Sequence, residues 1–295
     1  VPNKEINSHI IPRHHLKQFT NDYGCIFTYP DPDNYQDNHC KSKGGGSIAK
    51  NTASKIGYYS EEIEKILDNK FENQGSKIAK KILERKLITP DEREFFAKYI
   101  ASFLYRVPAS QKMLERLYPQ ILKQKNSVEY YLKNYYGKAN PNTYYKALND
   151  PAQKEKRINF VWENSIKSEH NLVYNALLSR EWWIAEVGTN SSEYFITSDN
   201  PVFYSTKSGM ADRDIQITFP LSQRMAMVFD GNRETPRNSD IEYCSAGRFI
   251  HNQVDLINKR TANNSTYLYS PKHDINIQSL VGYRVTSPDY IKRKL

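Results

Sequence analysis

The sequence predicts an α+β fold in which a helical lobe is inserted between an N-terminal β segment and a mainly antiparallel C-terminal sheet. Three observations predict it. Apolar residues recur at three- and four-residue spacing from about residue 57 to 180, short β-branched or aromatic runs replace that period from Trp182 onward, and a strand-like run precedes both near the start. We expect one domain over 1–295, with a helical lobe at about 57–180 and a β-rich lobe at about 1–30 plus 181–295.

The chain opens on a histidine cluster, Ser8-His9-Ile10-Ile11-Pro12-Arg13-His14-His15, that holds three of the seven histidines. Pro12 marks a turn, and Arg13 to Phe19 reads as a short helix with Leu16 and Phe19 on one side. Imidazoles titrate near neutral pH, which makes His9 and His14 candidates for proton transfer or metal ligation. Tyr23 to Tyr29 reads as a strand bounded by Asn21-Asp22 and by Pro30-Asp31-Pro32-Asp33. Residues 31–55, with Gly44-Gly45-Gly46, show no apolar period and read as loop.

Helical spacing then begins, with Ile63, Ile66, Leu67 and Phe71 followed by Ile78, Ile82 and Leu83. Thr89-Pro90-Asp91-Glu92 combines an N-cap, a proline suited to the first helical position and a capping-box glutamate, so a helix starts there. It carries Phe95, Phe96, Tyr99, Ile100, Phe103 and Leu104, and Pro108 stops it just after Arg106. An arginine fork at that end suits either an anion or the helix C-terminus. Further helices are expected from Pro108 towards Tyr136 and from Pro151 to Ser179.

Strands are expected at Trp182–Val187, Tyr194–Thr197, Val202–Tyr204, Ile215–Phe219 and Met225–Phe229, then a helix over 248–262 and a last strand at Tyr267–Tyr269. Between two of these strands lies Thr197-Ser198-Asp199-Asn200-Pro201. It places two hydroxyls, a carboxylate and an amide at a strand end, and Pro201 keeps Asn200 out of helical geometry. Such a string is either a site or an Asx-turn.

Composition narrows the function classes. Aromatic residues at 13% exclude a disordered chain, while a mean hydropathy of −0.76 agrees with a water-exposed surface. No apolar run reaches the roughly 20 residues of a bilayer span, and the first residues lack the charge and apolar stretches of a signal peptide, so no membrane partner and a cytoplasmic location are expected. Three cysteines are too few for a disulfide scaffold, and Cys25 with Cys40 lacks the paired spacing of a structural zinc site. A net charge of +9 and a pI near 9.2 favour an anionic partner, DNA or RNA.

His9, Glu72, Arg106, Asp199 and Asn258 stand at the edges of apolar patterns. Together they form a hydrolase inventory: a base, carboxylates for a metal or a proton, and an arginine for a developing anion. His9, Glu72 and Asp199 are the expected ligands of Mg²⁺ or Mn²⁺. The G-x-S-x-G elbow, H-E-x-x-H, the Walker A lysine and the dinucleotide glycine fingerprint are all missing from the sequence. Ser8-His9-Ile10-Ile11-Pro12 resembles the D-H-I-x-P opening of HNH nucleases, with Ser8 in place of the acidic residue.

The order of motifs resembles a widespread bacterial family known only as a domain of unknown function. The resemblance rests on His9, Pro12, Leu16 and Phe19 as an HxxPxxxLxxF opening, on Glu72 after Lys70-Phe71, on Arg106-Val107-Pro108, on Thr197 to Val202, on Phe219-Pro220-Leu221-Ser222, and on Asn258 before Tyr267-Leu268-Tyr269-Ser270. It implies one family-wide domain with His9, Arg13, Glu72, Arg106, Asp199 and Asn258 as matching positions, and it implies no activity. The expectation taken forward is a metal-assisted phosphodiester hydrolase acting on nucleic acid, in a bacterial toxin or antiviral defence setting. The rivals are a non-catalytic RNA- or protein-binding module and a hydrolase of a small nucleotide.

Overall fold

The computed structural model describes residues 7–30, 47–48, 52–123, 150, 158–159, 162–167, 172–204, 216–231, 241–245, 247–263, 265–274, 276–277 and 279–280. The expected Gly44–Gly46 loop, Cys40 beside His39 and the helix beyond Lys123 lie outside these residues. The chain divides into two compact units, residues 1–104 with 169–295, and residues 105–168. The first unit holds all the sheets, and the architecture is α+β as expected.

In the first unit the chain opens with β1 (Asn7–His9), α1 (Arg13–Leu16) and a 3₁₀ turn (Lys17–Phe19). Gly24, at φ +71°, closes the turn into β2 (Cys25–Pro30), and the Asn21 side chain accepts from the Tyr23 and Cys25 amides. Within 31–55, expected to be loop throughout, Ser47–Ile48 (β3) and Ser54–Ile56 (β4) pair as strands. These pieces are short and polar, and their pairing partners β2 and β1 define them, so no alternation signals them.

Helix α2 (Glu61–Ile66) is capped by Ser60, whose hydroxyl accepts from the Ile63 amide. It passes through a π-helical stretch, Leu67–Glu72, into α3 (Asn73–Leu83). Helix α3 ends on a Schellman motif in which Lys86 N–H donates to Lys81 O and Arg85 N–H to Ile82 O, with Arg85 at φ +56°. The capping box at Thr89 forms in full: Glu92 N–H donates to the Thr89 hydroxyl at 3.2 Å, and Thr89 N–H donates to the Glu92 carboxylate at 3.0 Å. It starts α4 (Pro90–Arg106), and the first unit ends within that helix, at Leu104.

Helix α6, Leu172–Leu178 (α5, Pro108–Lys123, belongs to the second unit), leads to β5 (Glu181–Glu186), β6 (Thr197–Ser198), β7 (Ile217–Pro220), β8 (Met225–Asp230) and β9 (Glu242–Cys244). Helix α7 (Gly247–Asn263) and β10 (Tyr267–Ser270) follow. The strands form a β1-β4 pair and two four-stranded sheets, β3-β2-β10-β6 and β7-β8-β5-β9. All pairings are antiparallel except β5 with β9, a strand absent from the sequence expectations. The expected strand at Val202–Tyr204 reduces to one bridge, Phe203 to Thr218.

Between α4 and the β7-β8-β5-β9 sheet the core is aromatic. Phe96 lies 6.3 Å from Trp182, Phe103 5.1 Å from Phe219, and Trp182 5.2 Å from Phe229, ring centroid to ring centroid. Such pairs add about 0.5–1.5 kcal/mol each beyond area burial. Arg93 is buried here with its guanidinium 4.1 Å from the Trp182 ring centroid and a hydrogen bond to Arg180 O. Burial lowers its pKa to about 10, although Glu181 acts in the opposite direction. Helix α7 buries Ile250, Val254, Ile257, Asn258, Thr261 and Ala262, a stripe at helical spacing that packs towards β5, β6, β7 and β10.

In the second unit α5 (Pro108–Lys123) begins two residues after Arg106, and residues 162–167 are helical. The Trp162 indole donates to Tyr105 O, and the Gln111 amide donates to Asn159 Oδ1 at 2.7 Å. Among the described residues no helix is long and apolar enough to cross a membrane.

Candidate functional site

Strand β1 places His9 at its end, paired with Ser54 of β4, and the Ser8 hydroxyl beside it accepts from the Tyr59 amide at 3.2 Å. Pro12, extended at φ −54° and ψ 134°, then turns the chain so that Arg13 begins α1. Across from them runs the α2 and π-helical rod. Its residues Glu61, Glu64, Asp68 and Glu72 recur at three- and four-residue spacing on one side.

His9, Arg13, Glu61, Glu64, Lys65, Asp68 and Glu72 line a single cleft of about 350 Å³. The cleft thus unites three of the expected site residues, His9, Arg13 and Glu72. Four carboxylates face two cations, so the lining carries two net negative charges when His9 is neutral. Lys65 and Glu61 form an exposed ion pair at 2.8 Å, and that hydrogen bond holds the Glu61 carboxyl below its ordinary value. The π-helical turn matters here because such turns re-aim side chains and recur at functional sites.

Asp199 and Asn258 do something different. Asp199 is 8% exposed, and one of its oxygens accepts from the Thr266 amide at 2.8 Å and the Tyr267 amide at 3.0 Å. Its own amide donates to Tyr267 O, and the Ser198 hydroxyl accepts from the Asn200 amide. The polar string therefore combines a local turn closed by Ser198 with a long-range anchor through which Asp199 fastens β6 to the start of β10. The Asp199 charge also contributes, after burial, to raising the buried Tyr269 hydroxyl well above its ordinary pKa.

Asn258 of α7 clamps the approach to β6 from both sides. Its oxygen accepts from the Ile196 amide at 3.0 Å and its nitrogen donates to Tyr194 O at 2.9 Å. Neither Asp199 nor Asn258 lines the cleft. Arg106 is fully buried and belongs to the second unit. Among the described residues no group of three His, Cys, Asp or Glu side chains is placed to hold a metal ion, so His9, Glu72 and Asp199 do not form the expected ligand set.

Glu61, Glu64, Lys65 and Asp68 are the cleft residues that sequence reasoning passed over. Their signal was present in the spacing of Glu61, Glu64, Asp68 and Glu72, which reads equally well as a solvated helix face. His15 is core: its Nε2 lies 3.0 Å from the Thr197 hydroxyl, and its ring packs against Phe19, Phe103 and Phe219.

No curated protein and no solved structure matches the chain. The profile of one family covers residues 7–272, from β1 through the end of β10, and so takes in the cleft and both backbone anchors. The chain belongs to that family, described as Protein of unknown function (DUF4238).

Proposed function

We propose that the chain is a phosphodiester hydrolase acting on nucleic acid, with the cleft between β1, α1 and the π-helical turn as its site. The observation that supports this reading is the convergence of His9, Arg13 and Glu72 in one cleft that carries surplus carboxylates. Arg13 would clamp the phosphate oxygens with its planar fork, and His9 would move a proton at the attacking or leaving oxygen.

An acidic lining repels a phosphate unless a cation lies between them. Carboxylates at Asp68 and Glu72 fit Mg²⁺ or Mn²⁺ held by one or two side chains with water completing the shell, a mode that requires no preformed cluster of three. When bound, such a cation supplies charge neutralisation and a more acidic water. The overall charge of +9 supports long-range attraction of a polyanion to the rest of the surface.

The test is incubation of purified protein with total RNA, tRNA, duplex DNA and single-stranded DNA in Mg²⁺ or Mn²⁺, read on a gel beside His9→Ala and Glu72→Gln. The reading expects cleavage that EDTA abolishes and that each variant lowers by about 10²-fold or more at unchanged unfolding temperature. Well-folded wild type that cleaves none of the four substrates sinks it. The setting proposed with it, a toxin or defence effector, expects induced wild type to arrest bacterial growth and Glu72→Gln to spare it.

A second reading, a non-catalytic RNA- or protein-binding module, draws support from Asp199 and Asn258, whose polar atoms serve the backbone. It expects retention of RNA on a filter without cleavage.

A further inference from the structure

A second cavity, of about 510 Å³, is lined by Lys77, Lys80 and Glu84, so that its lining carries one net positive charge when its histidines are neutral. The same rod that lines the cleft with Glu72 lines this cavity with Lys77 and Lys80 one to two turns further on, while α1 supplies His14 next to Arg13. Both lysines are exposed, and the Glu84 carboxylate in the same lining pairs with Lys86 at 2.6 Å and lies a longer 3.8 Å from Lys80. Their ammonium groups therefore remain available to an anion.

The half-buried His14 ring is the aromatic surface this lining offers, held from behind by the buried rings of Tyr99, His15 and Phe219. His14 stacks on Tyr99 with centroids 5.9 Å apart, and its Nε2 lies 2.6 Å from the Tyr99 hydroxyl. Behind them His15 stacks on Phe219 at 5.1 Å. Gly75 in α3 makes this packing possible: a Cβ there would meet the Tyr99 ring at 2.4 Å. Glycine inside a helix is less favourable than alanine. The cost is incurred at the one helical position that lets the tyrosine ring lie against the rod.

We propose that this cavity binds a nucleoside monophosphate, with its base against the half-buried His14 ring and its phosphate on Lys77 and Lys80. The volume falls within the roughly 300–1,000 Å³ of small-ligand pockets. Paired lysines recognise a phosphate as point charges, and planar rings accept any base face. Gln18 at the rim offers an amide that can both donate to and accept from a base edge. No metal is required, because the lysines provide the positive charge that the acidic cleft lacks. The proposal is independent of the hydrolase reading.

Titration calorimetry of the full chain in EDTA, where that reading allows no turnover, tests it with AMP, GMP and UMP, and with adenosine and inorganic phosphate as half-ligands. At least one nucleotide should saturate the protein, with each half-ligand binding about tenfold or more weakly. The double variant Lys77→Ala/Lys80→Ala should raise the Kd about tenfold or more, as expected for loss of two charge-assisted contacts. Its unfolding temperature should not change, since both side chains are exposed and alanine favours a helix. Failure of every nucleotide to saturate wild type at millimolar concentration overturns the proposal. So does an unchanged Kd in the double variant, or phosphate alone binding as tightly as the nucleotide.

Discussion

Replacing Asp199 separates a backbone anchor from a catalytic carboxylate, because asparagine keeps an oxygen that can accept from both amides. Both amide donors, Thr266 and Tyr267, meet the same atom, Oδ1. Hydrogen bonds to a charged group are worth about 1.5–3 kcal/mol each. These two sit at the partly buried start of β10, so about 1–2 kcal/mol apiece is the appropriate figure after solvent access is allowed for. Asp199→Ala should then cost about 3 kcal/mol, whereas Asp199→Asn keeps an acceptor for both amides and should cost less, about 1 kcal/mol.

In thermal unfolding followed by circular dichroism, the alanine variant should fall by about 6 °C or more and the asparagine variant by about 2 °C, scaling from about 2 °C per kcal/mol for a large domain. If the hydrolase reading holds, Asp199→Asn should cleave nucleic acid at close to the wild-type rate. Two results would refute the reasoning. One is an alanine variant as stable as wild type. The other is an asparagine variant that is fully stable yet inactive, which would return the carboxylate to the chemistry.

Other substitutions test the surrounding structure. Asn258→Asp should destabilise more than Asn258→Ala, because a carboxylate facing Tyr194 O adds repulsion to the loss of a buried donor; chemical denaturation should show a gap of about 1 kcal/mol or more between them. Gly75→Ala should cost about 1–3 kcal/mol by pushing on the Tyr99 ring, despite the better helix propensity of alanine, and a stabilised variant would contradict the close approach. Glu92 is held below its ordinary value of 4.5 first by the hydrogen bond from Lys81 and then by the Thr89 amide. Its contribution to stability is therefore present above pH 4.5 and lost as the pH falls through the lowered value. The stability gap between wild type and Glu92→Gln, measured by urea unfolding across pH 7 to 3, should shrink on acidification; a gap that widens would contradict the assignment.

Features written in one local stretch were legible in the sequence. Thr89 to Glu92 specifies its own capping box, and the stripes of α4 and α7 specify helices because burial recurs at the helical period. Strand β8 was legible from its continuous apolar run. What depends on a distant partner was not. Strands β1, β3, β4 and β9 are two or three residues long and exist because another segment meets them. Asp199 illustrates the same limit at the site level: the string around it reads identically as turn or active centre until Thr266 and Tyr267 supply the donors. His9, Arg13 and Glu72 could be nominated as chemistry, but their meeting depends on β1 pairing with β4 and on the course of the rod through its π-helical turn.

That turn sets a rotational phase. In an α-helix each residue advances the direction of its side chain by about 100°, and a π-helical stretch accommodates one residue more than the α-helical register would hold. Ile63 before the wide turn, Leu67 at its first residue, and Ile78 and Ile82 after it are all buried. Deleting Asn69, an exposed residue with no core side chain to lose, would close the stretch to α-helix and turn one half of the rod by about 100° against the other. Either the carboxylates would leave the cleft or the isoleucines would leave the core. The segment can therefore exchange its surface residues freely while being unable to give up one of them, a constraint on length that composition does not show.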